Sequence, residues 1–188
     1  MNGILYKTLG ALSIKSRWRY GNVRIVLADD FRKKELQREY YYLKGMYPGA
    51  IELLYDLPAD GSKRNYLSDL TLKDKLIIVS KASSTGLNSM NYKQLVDSLT
   101  QAGLRYAGVI KLHACHIGEG NWLYCLGHTL KAKGVSYSYL CGPKRSYIYE
   151  HFPFRYSKGE YKIIPGNVRQ EFTGTRYIHN NLDSVLIS

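Results

Sequence analysis

The sequence predicts an α/β domain built on a mostly parallel central sheet flanked by helices. Short β-branched apolar runs alternate along the chain with longer segments whose apolar residues recur at helical spacing. One run, DKLIIVSK (74–81), is apolar without alternation, the pattern of a strand buried on both faces of a parallel sheet. A chain of 188 residues fits one domain with a real core, and 45% hydrophobic against 22% charged residues excludes an intrinsically disordered chain.

The elements follow in order. NVRIVLADD (22–30) reads as the first strand, and its two terminal carboxylates, Asp29 and Asp30, read as a helix-start signal. The next segment, 31–46, is polar with Phe31, Leu36, Tyr40 and Leu43 on one helical stripe, stopped by Gly45 and Pro48. AIELLYDL (50–57) is a second strand and PADGSKRN an exposed loop. After the strand at 74–81, residues 90–103 place Leu95, Val96, Leu99 and Ala102 on one helical face before a glycine. AGVIKLHAC (107–115) is the fourth strand. A helix over 121–134 turns Leu123, Leu126 and Leu130 inward, and VSYSYLC (135–141) is the fifth strand. This regular part covers about 22–145. Residues 146–188 are basic and aromatic with Gly and Pro punctuation, which predicts a C-terminal β-hairpin or flap within the same single domain.

The formal net charge of +12 is placed at the ends: the first 40 and last 58 residues each carry an excess of +5, the middle only +2. Such an excess implies an anionic partner or a solvated basic face. No stretch approaches the roughly 20 apolar residues that span a bilayer, and the N-terminal segment does not read as a Sec signal peptide. Three cysteines, Cys115, Cys125 and Cys141, form no secreted disulfide framework. Together these place the chain in a cytoplasm, its own or a host's reached without a Sec leader.

Cys115 lies in GVIKLHACHIGEGNW (108–122), where a hydrophobic strand runs into a cysteine flanked by His113 and His116. Ligands of open parallel sheets gather at the carboxyl ends of strands, and two such ends matter here: Ser80–Lys81–Ala82 and Ala114–Cys115–His116. A hydrophobic strand, a helix, a second hydrophobic strand ending Ala-Cys, then a glycine-containing loop and a helix resembles the caspase-like (clan CD) cysteine peptidases. Within that clan the chain is most similar to the self-processing cysteine peptidase domains of RTX-type bacterial toxins, over about 22–145. The resemblance implies a caspase-like fold and Cys115 as nucleophile in a toxin or effector. It places the family's histidine base, part of a His-Gly pair, at Lys81–Ala82, and there this chain departs from the family. A lysine, ordinarily near about 10.4, is protonated at neutral pH and cannot accept a thiol proton. His116, next to the thiol, is the candidate replacement, since triads are defined by geometry rather than order.

The resemblance also implies a basic pocket for an inositol hexakisphosphate activator. The candidates are Arg17, Arg19, Lys33, Lys34, Lys144, Arg145, Arg155, Lys158, Lys162 and Arg169, where ammonium and guanidinium groups would make charge-assisted hydrogen bonds to phosphate. Two further readings stand beside the peptidase. One is a catalytically inactive relative that binds a polyanion or a host protein; the other, less favoured, is a nucleic-acid-binding module using the basic, tyrosine-rich ends. A zinc site from His113, Cys115, His116, Cys125 and His128 matches no finger spacing, so no metal is expected. Cys125 and Cys141 read as small buried hydrophobes.

Overall fold

The computed structural model of the chain describes residues 4–5, 7–8, 21–30, 32–48, 50–53, 65–145 and 161–169. Its central sheet contains β1 (Val23–Leu27), β2 (Ile51–Leu53), β3 (Lys75–Val79), β6 (Tyr106–His113), β7 (Ser136–Pro143) and β8 (Tyr161–Pro165), in the order β2-β1-β3-β6-β7-β8. The first five are mutually parallel; β8 runs antiparallel to β7. A small hairpin of β4 (Ala82–Ser83) and β5 (Gly86–Leu87) follows β3. Helices α1 (Lys34–Met46), α2 (Tyr92–Gln101) and α3 (Trp122–Ala132) flank the sheet. The α/β class, the parallel core and the helix-strand alternation read from the sequence are therefore present.

Alternation along the strands divides the core. Leu76, Ile78, Ile110, Leu112 and Leu140 pack with Leu95 and Leu99 of α2 and with Leu123, Leu126 and Leu130 of α3. Ile25, Leu27, Ile77 and Val79 pack with Leu36, Tyr40 and Leu43 of α1. Each such buried aliphatic side chain contributes about 1.5–3 kcal/mol through water released from its surface. Because α1 lies on one side and α2 and α3 on the other, the winding reverses between β1 and β3. Their carboxyl ends border the crevice where doubly wound sheets hold ligands.

Local chemistry sets the boundaries. Asn91 and Gln94 cap α2 reciprocally: Asn91 Oδ1 accepts from the Lys93 and Gln94 amides, and Gln94 Oε1 accepts from the Asn91 amide, each at 3.0 Å. Gly103 (φ +92°) ends α2 and Gly134 (φ +76°) ends α3, with the Leu104 amide bonded to Leu99 O and the Val135 amide to Leu130 O. Two sequence expectations shift. Gly45 does not stop α1 but lies inside its last turn, and the helix ends at Met46. Asp29 and Asp30 do not cap it either, since its N-cap residue is Lys33. Asp30 instead closes a turn by accepting the Arg32 amide at 2.9 Å, and Asp29 is drawn into the sheet edge. Residues 54–64, which include the end of the second strand and most of the loop, lie outside the described residues, as do 146–160 and 170–188 of the basic C-terminal region.

β8 is fastened by its own exit. The Gly166 amide donates to Ser138 O at 2.7 Å, and a Cβ on Gly166 would stand 1.7 Å from the Tyr137 carbonyl oxygen. Gly166→Ala should therefore separate β8 from β7 and cost about 2 kcal/mol or more, measured by urea denaturation. An unchanged midpoint would show that β8 does not seat there.

Candidate functional site

The carboxyl edge of the sheet assembles from three adjacent strand ends. The Ala28 amide donates to Val79 O at 2.8 Å and the Ser80 amide to His113 O at 3.2 Å, so β1, β3 and β6 end level with one another. Asp29, 3% exposed, ties two of them together. It accepts from the Lys81 amide at 3.1 Å, from the Asp30 amide at 2.7 Å and from Lys33 Nζ at 2.6 Å. Buried carboxylates persist where such donors replace water. Lys33, read from the sequence as an anion ligand, is thus committed to Asp29.

Cys115 follows β6 by two residues and is partly exposed at this edge. His116, the next residue, has φ +58°, a left-handed backbone that is uncommon for a side chain with a Cβ and concentrates at functional sites. The turn that holds it is closed by the Glu119 amide on His116 O at 3.0 Å, and the His116 amide reaches Arg145 O at 3.3 Å. Its Nδ1 lies 2.7 Å from Glu119 Oε1, so a carboxylate orients the ring. Thiol, imidazole and carboxylate therefore share one short loop. Lys81 extends from the neighbouring strand end, where its Nζ pairs with Glu35 Oε2 at 3.3 Å.

Among the described residues the basic candidates fall in separate places. Arg17, Arg19, Arg155 and Lys158 lie outside the described residues. Lys34 is exposed on α1. Lys144 and Lys162 come together at the carboxyl edge, and Arg145 follows two residues after β7, beside His116: Lys162 pairs across to Gly142, donates to Gly120 O at 2.9 Å and stands 4.3 Å over the Tyr124 ring. Burial, with Lys144 beside it, holds the Lys162 ammonium below its ordinary 10.5. Arg169 follows β8, whose antiparallel course carries it to the opposite, amino edge beside Tyr137. It cannot join the other three, because the length of β7 lies between them.

A second cluster lies on the α1 side of the sheet. Lys111 and His113 alternate with Ile110 and Leu112 and so share a face with Lys75, Ile77 and Val79. His113 is buried, and its Nδ1 lies 2.6 Å from Glu39 Oε1, which reaches in from α1. Burial, then the charges of Lys111 and Lys75, hold the imidazole well below 6.5. The ring is therefore neutral, and its Nδ1–H donates to the carboxylate, which can only accept. Lys75 is 4% exposed, and its Nζ donates to Tyr47 Oη at 2.9 Å. Lys111 stands 4.5 Å over the Tyr161 ring. Burial pushes both ammonium groups down to about 8, with Lys75 adding to the effect on Lys111. Cys141, in register with Lys111 on β7, is no simple hydrophobe. Burial raises its thiol while the two lysines pull it down.

Sequence reading singles out His113 only as a neighbour of Cys115, and it passes over Glu39, Lys75 and Lys111. The available signal was a charge inside runs otherwise suited to burial on both faces. Among the described residues no group of three His, Cys, Asp or Glu side chains is placed to hold a metal ion, and no helix is long and apolar enough to cross a membrane. No protein-family model matches the chain, and no curated protein matches it.

The buried lysines set an unusual pH response. Between about pH 8 and 10.5 the unfolded chain holds protons that folded Lys75 and Lys111 have released, so their contribution to stability rises with pH across that window. His113 acts at the acid end: stability falls as pH drops below 6.5, because the unfolded imidazole takes up a proton that the folded one refuses. Lys75→Met should raise stability at neutral pH by about 2–3 kcal/mol and flatten the rise above pH 8. Urea denaturation across that range checks this, and a destabilised variant with an unchanged pH profile would contradict it.

Proposed function

We propose that this chain is a caspase-like cysteine-peptidase domain of bacterial toxin or effector type. In this reading Cys115 is the nucleophile, and His116 takes the part that the resemblance assigns to a histidine at position 81. The observation that carries it is the 2.7 Å contact between His116 and Glu119 in the loop that presents Cys115. A general base held by a carboxylate beside a nucleophile is the triad arrangement by role. With Nδ1 engaged by Glu119, Nε2 is the nitrogen that accepts the thiol proton as sulfur attacks a peptide carbonyl. The same proton then passes to the departing amine, leaving a thioester. Water, deprotonated by the imidazole, hydrolyses the thioester and restores the thiol. Lys81 is a charged neighbour paired with Glu35, not the base.

A second reading keeps the fold without the chemistry: an inactive domain that binds a polyanion such as inositol hexakisphosphate, or a host protein. The placement of Lys144, Arg145 and Lys162 at the carboxyl edge favours it. The ligand would share electrostatic contacts weakened by salt.

Cleavage of an unbiased peptide library by the full chain separates the two. Cys115→Ala should abolish turnover, while Glu119→Gln should lower kcat by about tenfold or more with little change in KM, since it acts through ring orientation. Cleavage that survives Cys115→Ala would reject the peptidase reading. An inert protein whose melting temperature rises with inositol hexakisphosphate at low salt would establish the second.

A further inference from the structure

The cluster on the α1 side of the sheet has no part in peptide cleavage at Cys115, and its groups have the composition of an amine-chemistry site. Lysine becomes a nucleophile when burial or a neighbouring cation removes its proton, and here both act on one residue. Lys75 supplies the cation. It is fully enclosed and held by the Tyr47 hydroxyl at 2.9 Å. Lys111 projects from the adjacent strand on the same face, one register step beyond the partner of Lys75, and keeps partial exposure. Its amine lies over the Tyr161 ring at 4.5 Å, an apolar surface against which a small organic molecule can pack.

We propose that Lys111 is a Schiff-base-forming lysine whose site takes a small carbonyl compound that bears a carboxylate. The free amine attacks the carbonyl carbon to give a carbinolamine, which loses one water to form the imine. No electrons change hands, and hydrolysis reverses the step. The protonated imine and the Lys75 ammonium place two positive charges against the single Glu39 carboxylate, which accepts from His113 at 2.6 Å. A carboxylate on the bound molecule compensates the positive charge left over, so a 2-oxo acid fits where a neutral aldehyde does not.

The test treats the intact full chain with glyoxylate or acetaldehyde at neutral pH, traps any imine with cyanoborohydride, and maps the modified lysines by mass spectrometry. Exposed Lys93 and Lys131 serve as internal references. Lys111 should be reductively alkylated by glyoxylate at least about tenfold faster than either reference. Acetaldehyde should show a much smaller preference. Lys75→Met should bring the Lys111 rate down by about tenfold and remove the preference for glyoxylate. The proposal is overturned if wild-type Lys111 reacts no faster than Lys93 and Lys131, a comparison that needs no variant. It is equally overturned if a folded Lys75→Met protein labels Lys111 as fast as the wild type.

Discussion

β3 is buried from end to end: Leu76, Ile77, Ile78 and Val79 are wholly inaccessible and Lys75 nearly so. A strand of this kind must have a partner on each edge and a layer on each face. β1 and β6 supply the edges. α1 covers one face, and α2 with α3 covers the other. That single requirement fixes the order of the sheet, and with it the reversal of winding between β1 and β3. It also brings the carboxyl ends of β1, β3 and β6 level, so that Asp29, Lys81 and Cys115 come from segments far apart in the chain to one edge.

The same burial has a polar consequence. A lysine at the first position of β3 and another at the sixth of the eight positions of β6 must lose water with their strands. Desolvation opposes the charged form of each, and at Lys111 the charge of Lys75 adds to it. Tyr47, Tyr161 and the Glu39–His113 pair return part of that cost through hydrogen bonding, ring contact and charge. The molecule therefore carries two chemically distinct regions on β6. Its carboxyl end opens into a loop with an oriented imidazole beside a thiol, and Lys111, two residues before its end, holds an amine pushed down to about 8.

Much of the first region was legible in the sequence. Apolar runs separated by amphipathic segments gave the strands and helices, glycines at 103 and 134 marked two helix ends, and the strand that runs into Cys115 placed the thiol at the sheet edge. Less legible were features that depend on tertiary meeting. Nothing local distinguishes Glu39, one of several charged residues on α1, as the partner of a histidine 74 residues away. Lys75 and Lys111 sit in strongly apolar strands, but the side each faces follows only from register. Likewise, Arg169 looked equivalent to Lys162 by charge. The antiparallel course of β8 sends them to opposite edges.

If Cys115 is the nucleophile, the carboxyl-edge thiol is the one of the three in the chain that reacts readily. The most direct test is the rate at which iodoacetamide alkylates Cys115, Cys125 and Cys141 in the native full chain at neutral pH, resolved by mass spectrometry. Cys115 should react well ahead of the other two and faster than it does in the urea-unfolded chain, with Cys141 slowest because burial raises its thiol. A Cys115 that reacts no faster folded than unfolded, or that lags Cys125, would contradict a nucleophilic role.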